Sequence, residues 1–246
     1  MNRFAAAVAL LAVTVLTVPA AAASGSPPPA SLGRLFGSEN RRMPTDRREV
    51  ALTFNAAWDE TGVPEVLATL RQRDAPADFF LTGRFAERHP AAARAMAAEH
   101  GIGNHSYSHP LFDRLTADQA QQEVLRADRA IRAATGVVPL PFFRFPYSAT
   151  TPQGIAAVNA LGFADIEFSA DTDGYLGTPG GMTVRKAVDR VMAALAPGEI
   201  VEMHVGVDES GEAGPTDLDA EALPLIIDAV RARGYQLVDL RTLLEG

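Results

Sequence analysis

At 246 residues with 47% apolar side chains, the chain is long enough for one large packed domain or two small ones. Its 22 basic and 30 acidic residues give a net charge of -8, which removes the basic footprint that a phosphate backbone needs and excludes nucleic acid as a partner. The absence of cysteine excludes both a lipid-linked thiol and a disulfide framework, so stability must come from core packing.

The first residues read MNRFAAAVALLAVTVLTVPAAAASGS, with Arg3 ahead of an apolar run from Phe4 to Val18 and small residues after it. That is the pattern of a secretory signal peptide over residues 1–23. Pro19 interrupts the run short of the about 20 apolar residues a spanning helix requires, so no stable membrane insertion is expected after cleavage. The mature protein is expected to be secreted, outside the cell or in its envelope. Residues 24–48 are rich in Ser, Pro, Gly and Arg and read as a flexible linker, with the domain proper over residues 49–246.

From there short apolar runs alternate with segments at helical spacing. Val50 to Phe54 reads as a strand, and Val63, Val66, Leu67 and Leu70 as the inner face of a helix. Strands follow at Asp78 to Leu81 and Ile102 to Asn104, then a helix with Ala120, Val124, Ala127 and Ile131 on one face. Phe142 to Arg144 and Phe163 to Phe168 are the next strands, and Val184, Val188, Val191 and Leu195 mark a third helix. Ile200 to His204 reads as a strand, Leu223, Ile226, Ile227 and Val230 as a helix, and Tyr235 to Val238 as the last strand. Such alternation implies parallel strands with crossovers, in an open doubly wound sheet or a barrel shorter than eight units. In both, chemistry collects where strands end.

The strand ends are polar. In GNHSYSHP, His105 and His109 lie one helical turn apart, a spacing at which two neutral imidazoles can face one divalent cation. In FFRFPYSATTP, Arg144 follows an apolar run, either as a site residue or as a surface salt bridge, and Pro146 fixes the turn that presents Tyr147. DIEFSADTDGY carries Asp165, Glu167, Asp171 and Asp173, of which Asp165 reads as part of a solvated loop. GEIVEMHVG ends on His204, placed as a general acid, with Ile200 and Glu202 on the same side by two-residue alternation.

These segments resemble the polysaccharide deacetylase family, the NodB homology domain of carbohydrate esterase family 4, from VALTF at 50–54 to the C-terminal GYQLVDLRTLL. HSYSH is similar to that family's metal-binding H-S/T-x-x-H motif, RFPYS to its R-x-P-Y-G motif with Ser148 in place of Gly, ADFFLTG to the strand after its first helix, and IVEMH to its last motif. The resemblance implies a distorted (β/α) barrel of about seven strands and metal-dependent removal of N- or O-acetyl groups from a glycan, whether peptidoglycan, chitin-like or xylan-like. It implies His105 and His109 as metal ligands, His204 as proton donor, the Tyr147 N–H as oxyanion donor and Arg144 as the group that orients the carboxylates. Asp171 or Asp173 would orient His204. Zinc is the default cation, and cobalt or nickel would serve.

The pattern breaks at LTFNAAWDE, where the family has two aspartates, a general base and a metal ligand. Asn55 and Ala56 stand there, and neither an amide nor a methyl can do that work. Asp59, on the same loop, and Glu202, beside His204 at a usually apolar position, are the two acids that can stand in. Asp59 is preferred because a loop acid can move to fit. The alternatives are a catalytically impaired glycan-binding protein and a hydrolase of another small amide or ester. Trp58 and Tyr175 would line a sugar-stacking surface under each of these readings.

Overall fold

The computed structural model describes residues 30–206 and 218–245, so the expected signal peptide lies outside the described residues. In chain order the elements are α1 (Ala30–Gly33), β1 (Glu49–Ala56), α2 (Val63–Gln72), β2 (Asp78–Leu81), α3 (Gly83–Arg88), α4 (Pro90–Glu99) and β3 (Gly101–Asn104). There follow α5 (Ala117–Thr135), β4 (Phe142–Phe143), α6 (Pro152–Asn159), β5 (Ala164–Asp165), β6 (Ala170–Asp171), α7 (Val184–Ala194), β7 (Glu199–Val205), α8 (Leu218–Ala232) and β8 (Gln236–Val238).

The strands form one curled parallel sheet in the order β5-β4-β3-β2-β1-β7-β6. Strand β8 pairs with the first residues of β1, ahead of the stretch that pairs with β2. With helices packed outside, this is a distorted (β/α) barrel, and it settles the choice that periodicity leaves open. Helices α3, α4 and α6 present no apolar stripe in the sequence. In α4 only Ala92, Ala93 and Met96 are buried, and small side chains suffice where a helix lies close to the sheet. The strand expected over Phe163 to Phe168 shrinks to Ala164–Asp165, and β6 adds a separate two-residue strand.

Alternation along the strands sorts the residues. Val50, Leu52, Phe54 and Ala56 of β1, with Val201, Met203 and Val205 of β7, face the helices in the main apolar cluster. Ala51 and Ile200 face inward, where Leu32, Leu35, Phe80, Phe142 and Leu240 fill the lower barrel. Two and four residues further along the same inner faces stand Thr53 and Asn55, and Glu202 and His204. The barrel is therefore oily at its amino end and polar at its carboxyl end. Gly103 contributes to this filling: a Cβ there would lie 2.6 Å from the Phe80 ring, which occupies the space beside it.

The stretch expected to be a flexible linker is, over its described part, built into the barrel. Leu32, Leu35 and Met43 are buried, and Asn40 and Arg42 form β-bridges to Ile166 and Glu199. It thus ties the segment after β5 to the first residue of β7. Its polar composition hides three buried apolar side chains too widely spaced to form a periodic signal. No helix among the described residues is long and apolar enough to cross a membrane.

Candidate active site

The two histidines of GNHSYSHP converge, but not through a helical turn. Ser106 (φ 69) and His109 (φ 59) are left-handed, and side chains hold the loop in place. The Asn104 side chain accepts from the Ser106 N–H (2.9 Å) and donates to the Val124 carbonyl (3.0 Å). Ser106 Oγ accepts from the His109 N–H at 3.1 Å. Glu123 on α5 accepts from the backbone N–H groups of Tyr107 and Ser108 and from Ser108 Oγ, all within 3.0 Å. Nothing near HSYSH in sequence signals this acid. Glu123→Ala leaves two loop amides without their acceptor, and is expected to weaken cobalt or zinc binding at least tenfold by calorimetry while circular dichroism is unchanged.

His105 is 1% exposed, and its Nδ1 lies 2.9 Å from the Arg144 carbonyl, which fixes the proton there and leaves Nε2 as an acceptor. His109 Nε2 stands 3.2 Å from His105 Nε2. That is the spacing of two ligands on one tetrahedral ion with metal–nitrogen bonds of about 2.0–2.1 Å. Burial lowers both imidazoles, His109 to about 4 and His105 well below its ordinary value, so both are neutral near pH 7. Ala56 is buried in the outer apolar cluster and offers no third donor. Among the described residues no group of three or more His, Asp or Glu side chains is assembled around an ion position.

Below this pair lies Arg144, fully buried and not in the surface salt bridge that its sequence context also allows. Its Nε donates to the Ile166 carbonyl (3.0 Å), its Nη2 to the Glu167 carbonyl (3.4 Å), and its guanidinium lies 4.2 Å from the centre of the Phe80 ring. Nη1 donates to Asn55 Oδ1 at 3.1 Å. Since arginine only donates, this bond fixes the orientation of the Asn55 amide. Its Nδ2 then donates to Glu202 Oε1 at 2.5 Å and lies 3.4 Å from His204 Nε2.

Glu202 is 5% exposed and 3.7 Å from Arg144 Nη1. Burial drives its carboxyl well above the ordinary range, against the pull of Arg144 and the Asn55 hydrogen bond. His204 is pushed down to about 3 by burial, then by Arg144 and His109. Its backbone N–H donates to Asp219 of α8 at 2.8 Å, an acid that no motif marks. Asp171 lines the cavity and accepts from the Asp173 N–H, while Asp173 pairs with Arg190. Neither makes a hydrogen bond to His204, whose Nδ1 is buried without a partner among the described residues.

Asp59, the preferred stand-in, does not line the cavity. Its Oδ1 accepts from the Thr61 N–H at 2.8 Å, closing the turn that leads to α2. Asp165, expected in a solvated loop, is fully buried, and burial together with neighbouring Glu167 raises its carboxyl to about 10. Glu167 is buried too; it accepts from the Phe145 N–H (3.1 Å) and from Ser148 Oγ (3.0 Å). That second bond helps hold Ser148 at φ 48, a left-handed position that glycine adopts without strain. It anchors the turn carrying Tyr147, whose ring lies 4.6 Å from that of His109.

These groups meet in one cavity of about 560 Å³ at the carboxyl end of the sheet, lined by Asn55, Trp58, His105, His109, Tyr147, Asp171, Tyr175, Glu202 and His204 among others. Trp58 stacks edge-on to His109 at 5.1 Å, and Tyr175 lies 4.7 Å from His204. The family model for polysaccharide deacetylase matches residues 42–166. A chitooligosaccharide deacetylase from Bradyrhizobium sp. (strain ANU 289) is 34% identical over 196 residues, covering 77% of this chain and 88% of that protein. The chain belongs to the polysaccharide deacetylase family.

Two solved structures from this family are similar throughout the barrel. A peptidoglycan N-acetylglucosamine deacetylase superposes with a TM-score of 0.76 at 26% identity, over 88% of this chain and 97% of that one. A CE4 family pseudoenzyme from Bacillus anthracis superposes with a TM-score of 0.73 at 27% identity, over 83% and 68%. Within a polysaccharide deacetylase, the convergent Nε2 atoms of His105 and His109 fit a divalent cation as neighbouring ligands. Water or substrate oxygen would complete the shell in place of the missing carboxylate.

Proposed function

We propose that this polysaccharide deacetylase family member is an exported, metal-dependent hydrolase that removes acetyl groups from a chitooligosaccharide- or peptidoglycan-like glycan. The observation that carries this reading is the carboxylate of Glu202, which stands on the same cavity floor as the imidazole pair, 2.5 Å from the amide that replaces the usual acid. The names of its relatives support the substrate class, and the leader pattern of the first residues supports export.

When bound by His105 and His109, a cation such as zinc, cobalt or nickel would polarise an acyl oxygen and acidify water. The chain's own side chains do the rest. Arg144 holds Asn55 and Glu202 in register, Trp58 and Tyr175 offer flat apolar faces to a sugar, and the Tyr147 N–H is the donor that the family resemblance assigns to the oxyanion. Acetate release from chitooligosaccharide, peptidoglycan and acetylated xylan, with added zinc or cobalt and with chelator, tests the reading. Metal-stimulated release from one of these is expected.

A second reading, glycan binding without turnover, is favoured by Ala56 and by the likeness to a pseudoenzyme. Chelator-insensitive binding with no acetate from any of the three substrates would establish it instead.

A further inference from the structure

We propose that Trp58 is a positioning residue for the cation: together with Tyr147 it grips the His109 ring, and it thereby sets how tightly the two-histidine site holds a metal. The inference rests on the metal-dependent reading above and goes beyond it by giving the indole a task other than sugar stacking.

The two ligand rings are held by different means. His105 is fixed through Nδ1, which lies 2.9 Å from the Arg144 carbonyl, the usual way in which the far nitrogen of a ligand histidine is oriented. His109 has no such bond: its Nδ1 is buried, and no other described residue hydrogen-bonds to it. Its backbone is pinned in a left-handed turn by Ser106 Oγ. That leaves the torsion between Cβ and the ring, a broad one with little preference of its own, to be set by packing. Two aromatic rings supply the packing. Trp58 meets His109 at 5.1 Å with an interplanar angle of 64°, and Tyr147 meets it at 4.6 Å with 71°, both edge to face. Turning the imidazole about that torsion would drive it into one of them, so Nε2 stays 3.2 Å from His105 Nε2.

Of the two neighbours, Trp58 is the firmer. Tyr147 is 62% exposed, whereas Trp58 is partly buried on a loop tied down on both sides. Thr82 Oγ1 donates to the Ala57 carbonyl at 3.0 Å, Asp59 Oδ1 accepts from the Thr61 N–H at 2.8 Å, and the Gly206 N–H donates to the Thr61 carbonyl at 2.8 Å. Gly206 lies so close that a Cβ there would stand 2.6 Å from the Asp59 carbonyl oxygen. The loop that brings no carboxylate to the cation thus brings a rigid wall to the side of a ligand. With only two protein ligands, the freedom each ring loses on binding weighs directly on affinity, and a ring already held in place binds more tightly.

Calorimetry of cobalt and of zinc binding tests this. Trp58→Ala is expected to raise the dissociation constant about tenfold or more, and Trp58→Phe, which keeps a flat ring, to stay within about threefold of wild type. Wild-type affinity in Trp58→Ala would overturn the proposal, and so would an equal loss in both variants. In the unmodified protein without added cation, proton NMR is expected to show nuclear Overhauser contacts between the His109 ring and the Trp58 indole. Their absence would overturn the proposal even if both variants failed to fold. Cation binding that depends on Trp58, alongside acetate release that chelator leaves untouched, would remove the metal-dependent hydrolase reading and leave the clamp. Cation binding indifferent to Trp58, alongside metal-stimulated release, would remove only the clamp.

Discussion

Methionine in place of Arg144 is expected to lower stability by about 3–5 kcal/mol, as for other buried ion pairs that lose one partner. The guanidinium is wholly buried, donates to three acceptors, Asn55 Oδ1 on β1 and the Ile166 and Glu167 carbonyls after β5, and pairs with the Glu202 carboxylate on β7 at 3.7 Å. Methionine fills much of the space against Phe80 but donates nothing. Glu202 then loses the one positive charge that offsets its burial, and its carboxyl rises further. The measurement is thermal unfolding, where a drop of roughly 10 °C is expected for a chain of this size. Adding Glu202→Gln is expected to recover part of the loss. Strictly additive effects would show that the two side chains are not coupled.

Asn55→Asp is expected to destabilise this protein, although it restores the family's residue. The amide is the donor that faces Glu202 at 2.5 Å, and an aspartate there sets carboxylate against carboxylate in a buried site. Burial already raises the Glu202 carboxyl in the wild type, so the pair retains one proton more, which the unfolded chain releases near pH 4, and the folded pKa of the introduced acid is raised. A raised folded pKa gives stability that is complete below the unfolded value and lost as pH rises toward the folded one. The variant should therefore match wild type near pH 4 and fall behind by about 1.4 kcal/mol per pH unit above it, until the shared proton leaves. Denaturant unfolding at pH 4.5 and pH 8 reads this directly. Combining Asn55→Asp with Glu202→Met should remove the deficit, because the introduced carboxylate is then left with Arg144 alone. A single variant as stable as wild type at pH 8 would show that Glu202 can turn away.

Most of the barrel is legible in the sequence because its long strands bury both faces. β1, β2 and β7 carry apolar runs, β3 is read from Ile102 to Asn104, and α2, α5, α7 and α8 carry apolar stripes. What stays hidden has no pattern to show: the alanine faces of α4, the two-residue strand β6, and the buried contacts of residues 30–48. At the site, spacing or resemblance points to His105, His109, Arg144, Tyr147, Trp58, Tyr175, Glu202 and His204, and they do meet, with Arg144 set beneath the cavity. The preference for Asp59 over Glu202 rests on the adaptability of loops. The structure favours the strand acid, because inward alternation from Ile200 places it on the cavity floor, whereas the loop acid is used locally. Glu123 and Asp219 act on the backbone of distant segments, and only three-dimensional proximity reveals such anchors.

The bridges from Asn40 to Ile166 and from Arg42 to Glu199 join positions more than a hundred residues apart. A nascent chain exposes the first member of each pair early and must wait for most of its synthesis before the second emerges. Until then Leu32, Leu35 and Met43 have no barrel interior to enter, and the unfinished sheet keeps two raw edges. Closure is thus a late, slow event with high contact order, and the half-made protein is most vulnerable to aggregation and proteases while the ribosome is still at work.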